Sequence, residues 1–390
     1  MLSRLRRLRQ DERGFSFVFL ALTFMAFLVA TTLAIDVGMF MTARSQAQNA
    51  ADSGALSGAV ALVFDSYTDR SPTGPAVQSA LAAATANQVM AQNVSITPAD
   101  VTFPNDPEGN PNWVHVQVFR TGARGNPVAT LMGVYFRVPT VNISATATAE
   151  AAPANAATCV KPWAIPDKWI ERQGPPQIQP WDPSDTFDMY DQHGNPLPTP
   201  DIYRGLTDPG GYTGFNFDRA GPDYGVEVLL KAGNPHDAID PSHFFPLALP
   251  PNTGASWYEQ NIPGCWPGVM QFGDSPPVEP GNMTGPTVKG TQDLIDKDPT
   301  AYWDTAQKRV ISPYNPSPRI VILPVFDPIV YEESRQRGRQ DIVVANLVGF
   351  FIEDLQSNAV LGRLVPTTGL IRGGTPVPNG AYLRAIRLVQ

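Results

Sequence analysis

The chain has 390 residues, with 28 basic against 36 acidic side chains, 40 Pro, 32 Gly and two Cys. A net charge of −8 argues against nucleic acid as a main partner, because phosphate binding needs concentrated Lys and Arg. The Pro and Gly content excludes a plain helical bundle and points to a loop-rich β architecture, while the length suits an anchor plus two domains.

The first element is a basic tip, residues 1–14, carrying Arg4, Arg6, Arg7, Arg9 and Arg13. Residues 15–35 then run for 21 positions without a charge. As a helix they span roughly 32 Å, about one hydrocarbon core, so they are expected to cross a membrane. The basic flank should stay cytoplasmic and everything after Asp36 should be exported. A cleaved signal peptide is the alternative, with Thr32-Leu33-Ala34 as its cleavage site. The usual signal-peptide core is only about 7–15 residues, and the helical pattern continues through that site, so a retained anchor is expected. Setting aside the first 41 residues leaves 23 basic against 33 acidic side chains, so the exported part is acidic.

No Pro interrupts residues 1–71, and small residues recur every three or four positions: Ala43, Ala47, Ala50, Ala51, Gly54, Ala55, Gly58 and Ala59. Such a stripe lets another backbone approach closely. Ala47, Ala51, Gly54 and Gly58 mark the expected packing face, turned either onto the chain's own domain or onto a partner helix. Here Asp11-Glu12-Arg13-Gly14, an apolar span, Ile35-Asp36-Val37-Gly38, and then Gln46-Ala47-Gln48-Asn49-Ala50-Ala51-Asp52-Ser53-Gly54-Ala55-Leu56-Ser57-Gly58-Ala59 follow in order. That series resembles the amino terminus of TadG-like proteins, in the TadE/TadG group of Tad (Flp) pilus-assembly proteins. The resemblance covers about 50 residues and, more weakly, reaches Glu150. It implies a non-catalytic, prepilin-like protein of the bacterial inner membrane, serving an adhesion pilus or a related secretion machine with TadE-like partners. Phe19 stands where a prepilin processed after Gly14 would carry Glu, so an uncleaved anchor fits better.

Beyond the anchor, Pro75 opens an expected helix over 75–90, followed by strands at 94–96, 101–103 and 113–119. Residues 129–136 read as a short helix and 141–149 as a strand with Val141, Ile143, Ala145, Ala147 and Ala149 on one face. Residues 36–150 are thus expected to form a small α+β, pilin-like module led by the anchor helix. Ala151-Ala152-Pro153-Ala154-Asn155-Ala156-Ala157 reads as a linker by composition. The remaining part, 158–390, is Pro- and Trp-rich, with 28 of the 40 Pro and six of the seven Trp inside 162–328. Its strand candidates are 226–230, 319–326, 341–352 and 382–389, with a helix near 291–296, so a mainly β domain is expected. The fold class is α+β throughout.

Cys159 and Cys265 both fall in the expected oxidising space. They are expected to form a disulfide, the alternative being two separate buried thiols. A bridge would stabilise by roughly 4–5 kcal/mol through loop-closure entropy. Two Cys without a neighbouring His lack the ligand count for a metal.

The chain contains no G-x-S-x-G, P-loop or G-x-G-x-x-G. Asp182-Pro183-Ser184-Asp185-Thr186 fits the D-x-S-x-[ST] metal motif of von Willebrand A domains, which some TadG-like proteins carry, but no buried strand precedes it. Asp182, Asp185, Asp188 and Asp191 could supply calcium oxygens or simply face water. His236, Asp237, Asp240 and His243 are a weak transition-metal set, and Gly273-Asp274-Ser275 a weak nucleophile loop because Pro276-Pro277 follows. Residues 285–304 read equally as a binding loop or as a helix plugging the β domain. No catalytic, cofactor-binding or metal-ligating residue is assigned and no cofactor is expected. The leading reading is a membrane-anchored pilus-assembly or minor-pilin-like protein. The alternatives are a tethered binding module for an unidentified surface ligand, and a tethered enzyme acting on surface glycan or protein.

Overall fold

Nothing in residues 13–64 can break a helix, and α1 (Arg13–Phe64) is one unbroken helix of 52 residues, about 78 Å long. The structure, a computed structural model, describes residues 13–107, 109–172, 185–215, 221–234, 237–314, 316–373 and 381–389. Arg4, Arg6, Arg7 and Arg9 of the basic tip lie outside that set. The chain divides into two compact units. One takes α1 through Ala59, Arg70–Glu150 and the last few residues; the other takes Val60–Asp69 and Ala151–Arg387.

In the first unit, α2 (Pro75–Ala86) starts at a Pro in its first turn and buries Ala76, Val77, Ala80 and Ala84. It stops short of the expected residue 90. Met90 and Ala91 take left-handed backbone conformations, turning the hairpin of β1 (Gln88–Val89) and β2 (Gln92–Asn93). The expected strand at 94–96 reduces to one bridge, Ser95 with Phe119. After β3 (Val101–Thr102) comes β4 (Trp113–Arg120), whose strict alternation buries Val114, Val116, Val118 and Arg120. Arg120 is tolerated inside because its guanidinium donates to the carbonyls of Val89 and Asn126 and to Gln92 Oε1.

Residues 129–136 are not an α-helix. Val128–Ala129 is a short strand, β5, paired with β6 (Thr140–Val141), and only Gly133–Phe136 winds, as one 3₁₀ turn. β7 (Ile143–Pro153) pairs antiparallel with β4 from Trp113 opposite Glu150 to Arg120 opposite Ile143. The sheet order is Arg384–Val389, β7, β4, β3.

Residues 151–157 are a correction to the reading by composition. They are buried throughout: Ala151–Pro153 completes β7, and β8 (Ala156–Ala157) pairs with Met270–Gln271. Ala and Asn suit a linker, but Ala also fits where backbones lie close, so composition alone could not separate the two cases.

The second unit is built on a closed six-stranded barrel. Its strands are β9 (Trp163–Pro166), β10 (Glu227–Ala232), β11 (His243–Pro246), then, past β12 (Met270–Gln271), β13 (Tyr302–Asp304) and β14 (Arg309–Ile311), β15 (Ile320–Phe326), β16 (Val344–Gln356) and β17 (Ala359–Val365). The order is β10-β11-β9-β15-β16-β17, closing back onto β10. Alternate residues of all six strands, among them Trp163, Leu230, Phe244, Leu323, Phe350 and Leu364, converge on one cluster, the barrel interior. The residues between them, such as Ala164, Phe245 and Phe326, join a second cluster outside the wall. Among the described residues three helices complete the unit: α3 (Ala255–Asn261), α4 (Thr284–Ile295) and α5 (Pro328–Gln336). Tyr258 and Ile262 near α3, with Leu294 of α4, pack into the interior cluster, so 284–295 is a packed helix, longer than expected. Gly290 permits this: a Cβ there would lie 2.9 Å from Glu259 O and from Ile262 Cβ. A long apolar helix followed by a mainly β region with some helix is the observed fold.

Candidate functional site

The region that sequence singles out is α1, and its two halves have opposite environments. Along 16–35 nearly all side chains are exposed, including Phe17, Leu22, Phe24 and Phe27. By length and composition this stretch is able to cross a membrane. Its few hydroxyls are satisfied locally: Thr23, Thr31 and Thr32 donate to the carbonyls of Phe19, Phe27 and Val29. From Ala43 onward one face is fully covered. Ala43, Ala47, Ala50, Ala51, Ala55 and Ala59 are buried, as are Gly54 and Gly58.

At Gly54 and Gly58 what covers that face is the chain's own α2 and β4. A Cβ on Gly54 would lie 3.1 Å from Ala84 Cβ and 3.2 Å from Val116 Cγ1. One on Gly58 would lie 2.8 Å from Val114 Cγ1 and 3.2 Å from Ala76 O. Polar side chains lock the register: Gln48 Nε2 donates to Thr146 O at 2.9 Å, and Gln46 Oε1 accepts from Met90 N at 2.8 Å. The stripe of small residues therefore seats a helix and a sheet at near-contact distance, within one unit.

Sequence reasoning missed the role of Asp36. It is 5% exposed although it ends the apolar run. Its carboxylate accepts from the backbone N–H groups of Leu131 at 3.0 Å, Met132 at 3.2 Å and Gly133 at 2.6 Å. Three charge-assisted bonds pin the 130–138 turn to the helix. The available signal was an acid placed directly after an uncharged run, where its burial needs a donor set. Beside it lies an apolar cavity of about 260 Å³ walled by Val29, Leu33, Phe40, Met132, Phe136 and Val138.

The second unit holds three further features. Cys159 and Cys265 are bonded, with Cα atoms 4.3 Å apart, and Cys159 N donates to Trp266 O. Asp167 is wholly buried; it accepts from Tyr203 Oη at 2.9 Å, Tyr212 Oη at 2.8 Å, and the N–H groups of Lys168 and Phe215. Burial pushes its carboxyl up to about 6 despite those donors. Asn346 donates to Tyr212 Oη, and the neighbouring Lys168 pairs with buried Asp223 at 2.5 Å. Such a network of mutually bonded buried groups braces the interior. Finally, a cleft of about 670 Å³ is lined by Trp303, Tyr224, Tyr314, Arg309, Ser312 and Thr367, among others.

The candidate metal and nucleophile residues have local tasks. Asp191 holds its own turn through His193 N and Asn195 N, which keeps its carboxyl below the usual range. Asp188 accepts from Thr186 Oγ1, Asp237 from Asn234 N, and Asp274 from Gln271 N. His243 lies 3.2 Å from Asp240. Among the described residues, no three His, Cys, Asp or Glu converge as a metal site. Asp182, Pro183, Ser184 and His236 lie outside the described residues. No curated protein and no solved structure matches the chain. Residues 14–61, which carry both the exposed apolar run and the buried small-residue face, match the Tad family model, Flp pilus-assembly TadE/G-like.

Proposed function

We propose that the protein is a membrane-anchored, non-catalytic component of a Tad (Flp) pilus machine, working with TadE-like proteins at the bacterial inner membrane. The observation that carries this is the match over 14–61, falling on a helix that is bare along its apolar half and built into a folded unit along the other. That division of labour suits a subunit or assembly factor that must hold a folded body at the membrane. Residues 1–14 are cytoplasmic in this reading, 36–150 form a pilin-like module and 158–390 an exported domain.

The test is deletion of the gene with complementation, scored by surface pili in electron micrographs and by membrane fractionation. Full-length protein should restore pili, fractionate with the inner membrane, and expose residues 42–390 to protease from the exported side only. A chain starting at residue 42 should not restore pili. Normal piliation in the deletion strain would overturn the assignment. A second reading, a binding module for a surface ligand, is favoured by the Trp303–Tyr224–Arg309 cleft and is compatible with the first.

A further inference from the structure

We infer that residues 130–138 form an interfacial membrane anchor, a turn seated in the leaflet where α1 leaves the bilayer. The inference rests on the reading that 15–35 spans a membrane, and adds a second membrane contact to it.

Position comes first. Asp36 binds the N–H groups of Leu131, Met132 and Gly133, so the turn is fixed beside the end of the uncharged run. The cavity it encloses is walled on the helix side by Val29, Leu33 and Phe40. Those residues straddle the end of the span at 35, so a membrane holding the helix meets the turn as well.

Composition agrees. Tyr135 is 80% exposed, Phe136 56% and Leu131 54%, with Val134 and Val138 close behind. In water, such a patch on a short turn has no reason to exist. It continues the exposed apolar surface of the helix, where Leu33 is 65% and Val29 45% exposed. That continuity selects lipid as the occupant: one unbroken apolar surface is solvated by one medium. Arg137 is the only charged residue in 130–138 and is exposed, its long stem suited to reaching a lipid phosphate. The exposed Tyr135 and Phe136 match the aromatic belt of membrane interfaces.

Most backbone N–H groups of the turn meet the harder condition. A turn can enter a poorly hydrated layer only if its N–H and C=O groups are internally bonded. Besides the three N–H groups held by Asp36, Thr130 N donates to Pro139 O, Tyr135 N to Met132 O, Arg137 N to Val134 O and Val138 N to Gly133 O. The Thr130 hydroxyl donates to Val138 O at 2.7 Å. The buried Asp36 carboxylate thus supplies the acceptors that three consecutive amides would otherwise seek from water.

The test uses full-length protein in lipid nanodiscs. Because Cys159 and Cys265 are bonded, a single introduced Cys is the sole free thiol for an environment-sensitive fluorophore. Tyr135→Cys reports the turn and Phe24→Cys the middle of the span. Thr73→Cys serves as the aqueous control, because it precedes α2, whose Ala76 carbonyl lies against Gly58, roughly 33 Å along α1 from Asp36. The label at 135 should be blue-shifted relative to that at 73 and quenched several-fold more by lipids bearing a nitroxide near the headgroup. The label at 24 should be quenched most by mid-chain nitroxides. A water-like, unquenched label at 135 together with a deeply quenched one at 24 overturns the interfacial turn and leaves the span intact. An unquenched label at 24 overturns the span and the turn with it.

Discussion

At Gly58 two residue-scale forces oppose each other. Gly in a helix interior costs about 1 kcal/mol relative to Ala, so Gly58→Ala would stabilise an isolated helix. In the folded unit the new methyl would lie 2.8 Å from Val114 Cγ1 and 3.2 Å from the Ala76 carbonyl. The backbone oxygen cannot move without shifting α2, so packing wins. Gly58→Ala is expected to lower stability, and Gly58→Leu to lower it further, by about 1–3 kcal/mol. Urea unfolding of both variants in detergent decides this; a Gly58→Ala chain more stable than wild type would show that the face relaxes. Asp167 yields a prediction in pH. Its carboxyl titrates at about 6 when folded, because of desolvation, against an ordinary value near 3.9 in the unfolded chain. Between those values the folded state keeps a proton that the unfolded state releases. Its contribution to stability is therefore complete below about pH 4 and is lost as pH rises through 6, a change of about 3 kcal/mol. Asp167→Asn keeps the size and one acceptor oxygen and removes the titration. The urea midpoint of the wild type should fall between pH 4.5 and 7 more steeply than that of the variant; parallel profiles would refute the assignment.

At the scale of elements, alternation and capping explain both what was legible and what was missed. β4 was readable because its burial alternates without error from Trp113 to Arg120. α5 was missed, although Asp327-Pro328 is an N-cap followed by a first-turn Pro; the Asp327 carboxylate accepts from Ile329 N and Val330 N. α4 was read too short because Gly285, Pro286 and Gly290 look like loop residues, while in the fold Gly290 is the contact that lets α3 and α4 meet. The apolar run 129–136 was misread as a helix because its amides are claimed by Asp36, about 95 residues earlier in the chain, which no local pattern records. The disulfide belongs to this scale as well. It joins the segment after β8 to the loop before β12, across 106 residues of chain. Reduction, or Cys265→Ser, should cost up to about 4–5 kcal/mol in the chain-entropy model. Thiol labelling of denatured, unreduced protein should find no free cysteine, and two reactive thiols would refute the bridge.

Over the whole molecule, sequence by itself determined what depends on local composition and period. Twenty-one uncharged residues make a helix able to span a bilayer, whatever follows them. A run of Ala and Gly at helical spacing makes a face that must be covered, and the TadE/G-like series is readable as a string. Tertiary structure decided everything that depends on partners distant in the chain. It chose α2 and β4 as the cover for Gly54 and Gly58, buried Ala47 and Ala51 on the same face, and buried residues 151–157 that read as a linker. It closed six strands into a barrel whose neighbours β10 and β17 stand more than 120 residues apart. It also gave Asp36 its three amides, turning an acid at the edge of an apolar helix into the clamp of a turn. The physical reason is the same in each case. Helical period and hydropathy are properties of consecutive residues, whereas the satisfaction of a buried polar group, or the fit of a small side chain, is set by atoms that only folding brings within reach.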